Sequence, residues 1–402
     1  MQDTQMLNYI KEVLKNMPSD WLNLTTHRLD IYVESLAKTQ FLDQFEDLFK
    51  ANNAETAALK KLPTAYDYIR LGHPLSSILE WAIAKMNNLK PENVISFASN
   101  TVPILAILRK NLLDKKNTQI LYTGALPPAF DAELIRNVYG YHFELKQLDT
   151  NTAISAFEGS TILLSQDAKI GTLDLNPNID FYINLYGSLG SVLTVYGEKN
   201  ESYISEIQHV RRRETIAMTP ANCLVALKAL VEHKAIAPAK RDVAEAKKSV
   251  LTSIQKITGS PTTPLVASSG LSIQYAIMMG LIHDAQENHP GKPIKFLVPP
   301  NCYGGTNDQA RRVAACLDNV EIVDLLVDGD NNMVQSIDTV LTKVAKEDAV
   351  PYIIAEIPTN PRVEVPNLQQ LKAVLSKERK TANGKAAIDP VFILDQTFCP
   401  NY

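Results

Sequence analysis

The stretches Ile353-Ile-Ala-Glu-Ile-Pro-Thr-Asn-Pro361 and Val391-Phe-Ile-Leu-Asp-Gln-Thr-Phe398 decide the fold. Each is a short apolar run that stops at polar groups, the pattern of a buried strand in an α/β sheet. In an open α/β sheet, ligands bind in the crevice at the carboxyl ends of the strands. Glu356, Thr359, Asn360, Asp395 and Thr397 therefore occupy ligand-handling positions, and the two strand ends read as one site.

Working outward, the same alternation of strand and helix covers most of the chain. Upstream of the quoted stretches the expected strands are Leu265–Ala267, Lys295–Val298 and Val320–Asp324, with periodic helices between them, and the turn cluster Gly259-Ser-Pro-Thr-Thr-Pro264 opens the series. Before it comes a helical region, Pro220–Ile257. An earlier series has helices Ser76–Lys90, Val102–Leu113 and Ala132–Val138, and strands Val94–Ala98, Gln119–Leu121, Thr161–Leu164, Asp180–Leu185 and Val192–Val195. Residues 5–60 read as amphipathic helices, from Leu7, Ile10, Val13 and Leu14 and again from Phe41, Phe45, Leu48 and Phe49. The expected organisation is a helical segment over 1–60, a first α/β module over 61–258 and a second over 259–402. The fold class is α/β, with a mostly parallel sheet flanked by helices.

The modules share landmarks roughly 170 residues apart: Phe97-Ala-Ser-Asn-Thr-Val-Pro-Ile-Leu and Val266-Ala-Ser-Ser-Gly-Leu-Ser-Ile-Gln both run from a strand end through small polar residues into an apolar helix. Any βα unit can look this way, so the match alone is weak.

Composition limits the partners. At 402 residues and 45% hydrophobic content the chain can bury substantial cores. Its 40 basic and 44 acidic residues include no long basic run, which argues against nucleic acid or a membrane surface and for a small neutral or zwitterionic ligand. Cys223, Cys302, Cys316 and Cys399 lack metal-ligand spacing and suit a reducing compartment, so no metal and a cytoplasmic location are expected. The N-terminal residues lack a signal-peptide pattern, and no later segment reaches membrane-spanning length.

The chemistry-bearing residues cluster in the second module. Ser268-Ser-Gly-Leu-Ser272 leads into a helix, where backbone N–H groups and the helix dipole suit a phosphate; a plain tight turn is the other reading. Asn301-Cys-Tyr-Gly-Gly-Thr306 permits a sharp turn and offers Tyr303 as a ring to lie over a planar ligand or to cover a sheet edge. Asp395 at a strand end either caps a turn or meets a cation such as a protonated pyridine nitrogen. Asn360, between Pro358 and Pro361, lies in a rigid turn.

Ser-Gly-Leu at 269–271, Tyr-Gly-Gly-Thr at 303–306, Glu-x-Pro-Thr-Asn-Pro at 356–361 and Asp-x-Thr-Phe at 395–398 resemble, in order and approximate spacing, the pyridoxal 5′-phosphate (PLP) enzymes of cysteine and methionine metabolism. That family includes cystathionine synthases and lyases, methionine γ-lyase and homoserine-ester sulfhydrylases, and has the fold type I, aspartate aminotransferase-like architecture. The resemblance implies that Ser269, Gly270 and Leu271 cup the phosphate, Tyr303 stacks on the ring, Asn360 binds the phenolic oxygen, Asp395 pairs with the ring nitrogen and Thr397 lies beside it. Tyr68-Ile-Arg-Leu-Gly-His-Pro74 resembles the family segment whose Tyr and Arg reach a neighbouring subunit's phosphate, which implies that role for Tyr68 and Arg70, in a homo-oligomer or an intramolecular pseudo-dimer.

Ile179–Ser191 resembles the strand and turn that carry the Schiff-base lysine, yet Gly187 stands in the lysine's place. The first module also has Asn100 where the phosphate cup has Gly, and Leu163-Leu-Ser-Gln166 where Pro-Thr-Asn-Pro is expected. It reads as a degenerate copy that lends Tyr68 and Arg70 to the second. The second module's own lysine is expected after Tyr402, so the chain reads as truncated, with no catalytic residue of its own and no turnover as it stands. The expected activity of the complete protein is a PLP-dependent lyase or transferase of trans-sulfuration, acting on cystathionine, cysteine, methionine or activated homoserine. The alternative is a noncatalytic pseudoenzyme of the same fold.

Overall fold

The computed structural model describes residues 2–23, 37–66, 68–149, 153–166, 169–236, 243–327, 331–360 and 362–399; Pro361 and Tyr402 lie outside them. It is a mixed α/β protein with mostly parallel sheets flanked by helices. The chain divides into two compact units, Met1–Ala132 with Tyr141–Arg241, and Glu133–Gly140 with Asp242–Tyr402.

The first unit opens with α1 (Gln2–Asn16), α2 (Ala37–Lys50), the single turn α3 (Thr56–Leu59) and α4 (Pro74–Met86). His73 caps α4: its Nδ1 accepts from the Ser76 N–H at 3.2 Å, and Pro74 at the first helical position has no N–H to leave unpaired. There follow β1 (Val94–Phe97), α5 (Val102–Leu113) and β2 (Thr118–Tyr122). After α6 (Ala132–Asn137), which apart from its first residue belongs to the second unit, come β3 (Glu144–Gln147), β4 (Ser160–Gln166), β5 (Phe181–Leu185) and β6 (Ser191–Val195). The helices α7 (Tyr203–Glu214) and α8 (Pro220–Val231) complete the unit. The sheet order is β1-β6-β5-β4-β2-β3, and only β6 runs against its neighbours. The N-terminal helices are part of this unit's core: Ile10, Val13, Phe41 and Phe45 are buried in one cluster with Ile78, Trp81 and Leu227.

The second unit contains α9 (Val243–Thr258), α10 (Gly270–Asn288), β7 (Ile294–Val298), α11 (Gly304–Ala314), β8 (Val320–Asp324), α12 (Met333–Lys346), β9 (Val350–Glu356), α13 (Leu368–Leu375) and β10 (Val391–Asp395). Its sheet is wholly parallel in the order β10-β9-β7-β8. Met278, Ile282, Phe296 and Tyr352 pack on one face, and Leu297, Ile337, Leu341 and Ile353 on the other. β9, covered on both faces, is buried along its whole length, as its unbroken apolar run requires.

The strand expected at Leu265–Ala267 does not form. The segment is irregular, Leu265 is 80% exposed, and no described strand pairs with it. Three residues without a ladder partner leave their backbone groups to solvent and gain nothing from extension. In the first unit, β1 lies at the equivalent place before its helix and is held by antiparallel β6. The segment Ser268–Ser272 is thus entered from a loop rather than a strand.

The two sheets share a four-strand array. In the first, Leu145, Ile120, Ile162 and Phe181 form one row across β3-β2-β4-β5; in the second, Ile322, Phe296, Tyr352 and Val391 form one across β8-β7-β9-β10. Counted from these rows, corresponding strands end at the same height: Tyr122 with Val298, Gln147 with Asp324, Gln166 with Glu356, and Leu185 with Asp395. This correspondence is positional. The resemblance that sets Gly187 at a lysine's place is a separate reading of the β5 strand and turn.

Candidate functional site

Three elements of the second unit end together. β9 and β10 are paired so that Glu356 stands opposite Asp395, and the Ile357 N–H donates to the Asp395 carbonyl at 3.1 Å. Glu356 is buried, its Oε1 accepts from the backbone N–H of Tyr303 at 2.9 Å, and the backbone N–H of Asn360 is near enough to favour the charged carboxylate. The turn after β7 is therefore tied to the ends of β9 and β10. Burial pushes the Glu356 carboxyl above its ordinary range, the two backbone donors pull it down, and neighbouring Asp395 adds to the rise. Its Oε2 is buried with no hydrogen-bond partner.

The start of α11 adjoins this carboxylate, and the first turn of α10 packs against α11. Ser269 caps α10, its Oγ accepting from the Ser272 N–H at 3.1 Å, and the Ser272 hydroxyl lies 2.8 Å from Ser269 Oγ and 2.9 Å from Ser268 Oγ. A side chain on Gly270 would meet nothing within 4 Å, so the first turn faces open space. Gly305 is the reverse case: a Cβ there would stand 2.7 Å from Leu271 Cδ1 and 2.5 Å from Tyr303 Cε1, which locks the two helix starts together. Gln309 Nε2 donates to the Leu271 carbonyl at 2.9 Å, and Thr306 Oγ1 to Gln274 Oε1 at 3.1 Å. The Tyr303 ring, 38% exposed, remains accessible at the N-terminus of α11.

Asp395 takes a turn role: its Oδ1 accepts from the Thr397 N–H at 2.9 Å and from the Thr397 hydroxyl at 2.6 Å. After β9, Thr359 is buried and its hydroxyl accepts from the Glu364 N–H at 2.9 Å, which fixes the turn that bears Asn360. The peptide bond Ile357–Pro358 is cis. Cys302 lies against the same acids, and burial together with Glu356 and Asp395 pushes its thiol up to about 12, so it stays neutral.

Seven expected residues, Ser269, Gly270, Leu271, Tyr303, Asn360, Asp395 and Thr397, thus lie in the second unit at strand ends and helix starts. Tyr68 and Arg70 lie in the first. There Arg70 is buried with its guanidinium 4.3 Å above the Tyr68 ring, and Arg212 lies 5.6 Å from the centre of the same ring. Sequence reading missed the tie from Glu356 to Tyr303, the thiol of Cys302 and the buried Gln274 and Gln309. The glutamines carried one signal, a polar residue at helical spacing among buried apolar ones such as Leu271 and Met278.

In the first unit the corresponding turns are joined to each other. Asn100 Nδ2 donates to the Gly187 carbonyl at 3.0 Å, and Gly187 has φ +58°, a left-handed conformation unfavourable for lysine. No carboxylate ends β4 or β5.

No protein-family model matches the sequence, and no curated protein matches it. Solved structures with similar folds include cystathionine γ-lyase from yeast (12% identity, 62% of this chain and 67% of that one, TM-score 0.31). Cystathionine γ-synthase from Xanthomonas oryzae pv. oryzae is 11% identical over 50% of this chain and 57% of its own, with TM-score 0.27. CalE6, a methionine γ-lyase from Micromonospora echinospora, is 10% identical over 54% and 67%, with TM-score 0.28. The chain thus spans little more than half the length of the synthase.

Proposed function

We propose that the second unit binds pyridoxal 5′-phosphate in a fold type I framework, and that the protein acts on sulfur amino acids or activated homoserine by elimination or replacement at Cβ or Cγ. The observation that carries this reading is the junction at which Glu356 holds the Tyr303 backbone while Asp395 stands beside it in register. The residues suit the cofactor. The α10 start, with open space at Gly270, offers first-turn N–H groups to a phosphate, the exposed Tyr303 ring offers a stacking face, and Asp395 offers an anion to a ring nitrogen. When bound, PLP supplies an electron sink for negative charge at the substrate α-carbon. The chain's own residues bind and orient: Asp395 would hold a proton on the ring nitrogen, and Asn360 would donate to the phenolic oxygen.

Spectroscopic titration of the purified chain with PLP tests the reading. Binding is expected, and Asp395→Asn and Tyr303→Ala should each weaken it about tenfold or more, the loss of one charge-assisted or stacking contact. A chain that takes up no PLP, or variants that bind it unchanged, would end the proposal. The assignment of Tyr68 and Arg70 to the phosphate has its own check, because Arg70→Ala should then weaken binding comparably. A noncatalytic role is the second reading, and for the first unit it is favoured by the bond from Asn100 to Gly187.

A further inference from the structure

The Glu356 side chain is held through one of its two oxygens. It is 6% exposed, and while Oε1 accepts from the Tyr303 N–H, Oε2 is buried with no hydrogen-bond partner. Such an oxygen is costly to bury unless it carries a proton or meets a donor or a cation. The strands β9 and β10 are parallel and pair Glu356 with Asp395, so the two side chains leave the sheet on the same face. Two acids share one strand-end position.

Among the described residues no cation pairs with Glu356. Burial and Asp395 favour its protonated form, and the backbone N–H groups of Tyr303 and Asn360 work against them. Cys302, in the turn after β7, is neutral. Neighbouring carboxyl groups resist ionising together, so the last proton belongs to the pair. Asp395 Oδ1 already accepts two hydrogen bonds from Thr397 and Glu356 Oε2 accepts none, which puts that proton on Glu356.

On the PLP-binding role proposed above, on which this inference rests, we propose that Glu356 is a further residue of the cofactor site: its carboxyl gives up its proton to solvent in favour of a cationic ring, and the charged form binds the cofactor more tightly than the protonated form. Proton loss and cofactor uptake then favour each other.

Spectroscopic titration with PLP over a pH series, on the unsubstituted protein and on Glu356→Gln, tests this. The variant keeps an acceptor for the Tyr303 N–H but cannot ionise, and the ionisations of PLP itself affect both proteins alike. The unsubstituted protein should bind about tenfold more tightly at a pH of about 8, and the advantage should vanish as pH falls toward the carboxylate range. A ratio that stays constant with pH, which lost packing alone would give, overturns the inference and leaves the PLP site standing, as does equal affinity throughout. No uptake of PLP at any pH ends both. Asp395→Asn checks the coupling with Glu356 intact: beside a neutral neighbour Glu356 keeps its charge to lower pH, so the fall in affinity should move to lower pH. A fall that does not move would refute the pair.

Discussion

Glu80 and His73, both buried at the start of the first unit's α/β series, set much of its response to acid. Glu80 also accepts from the N–H and hydroxyl of Ser96, at 2.9 and 2.8 Å. Burial works against its charge, but Lys38 and Arg211 outweigh it and hold the carboxyl down at about 2. Its contribution is therefore present above the unfolded value, near 4.5, and is lost as pH falls toward 2. Glu80→Gln keeps the shape and leaves two buried cations unpaired, so denaturant unfolding should show a loss of roughly 3–5 kcal/mol at neutral pH. His73 titrates in a separate window. Its Nε2–H donates to the Met218 carbonyl at 2.7 Å while Nδ1 accepts from Ser76, a neutral arrangement, and burial depresses it from 6.5 to about 4. Protonation of the unfolded chain should thus remove roughly 3 kcal/mol of stability as pH falls from about 6.5 to about 4. His73→Asn keeps a capping side chain and should abolish that slope, read as the pH dependence of the urea midpoint. None of this was legible in the sequence, because the partners at 38, 80, 96, 211 and 218 are distant in the chain.

At the scale of the element, periodicity was a sound guide where a face is buried and a poor one where a partner is needed. Phe41, Phe45 and Phe49 repeat at helical spacing and form a buried aromatic seam: Phe45 stacks on Phe41 at 6.0 Å and meets Trp81 edge-on at 5.3 Å. Phe45→Ala should consequently cost about 3–5 kcal/mol, measured by chemical denaturation; a cost below about 1 kcal/mol would mean that α2 is not integral to the core. Leu265–Ala267 has the composition of a strand but, among the described residues, no strand to pair with. The four residues of β3, Glu-Leu-Lys-Gln, have no apolar run and became a strand only by adding to the edge of β2. Edge pairing is a tertiary event, and local pattern does not encode it.

At the scale of the whole molecule, two arrays of the same order and register differ in what stands at their carboxyl ends. The second presents Glu356 and Asp395; the first presents Gln166 and Leu185, with Asn100 bonded to Gly187 in the adjoining turn. That Asn100 and Gly187 fall in turns of the first unit, and Tyr303 and Asp395 at a helix start and a strand end of the second, was legible from sequence. The register that sets Gln166 against Glu356 was not, since it depends on the pairing of strands. A neutral amide and an aliphatic side chain give a cationic ring no counter-charge, and a buried unpaired cation is strongly disfavoured. Under the PLP-binding role proposed for the second unit, the chain should therefore bind one equivalent of PLP and not two. Quantifying cofactor released by alkali from the dialysed protein checks this, with Asp395→Asn expected to reduce the single equivalent. A second equivalent that persists in Asp395→Asn would place a working site in the first unit and refute the asymmetry.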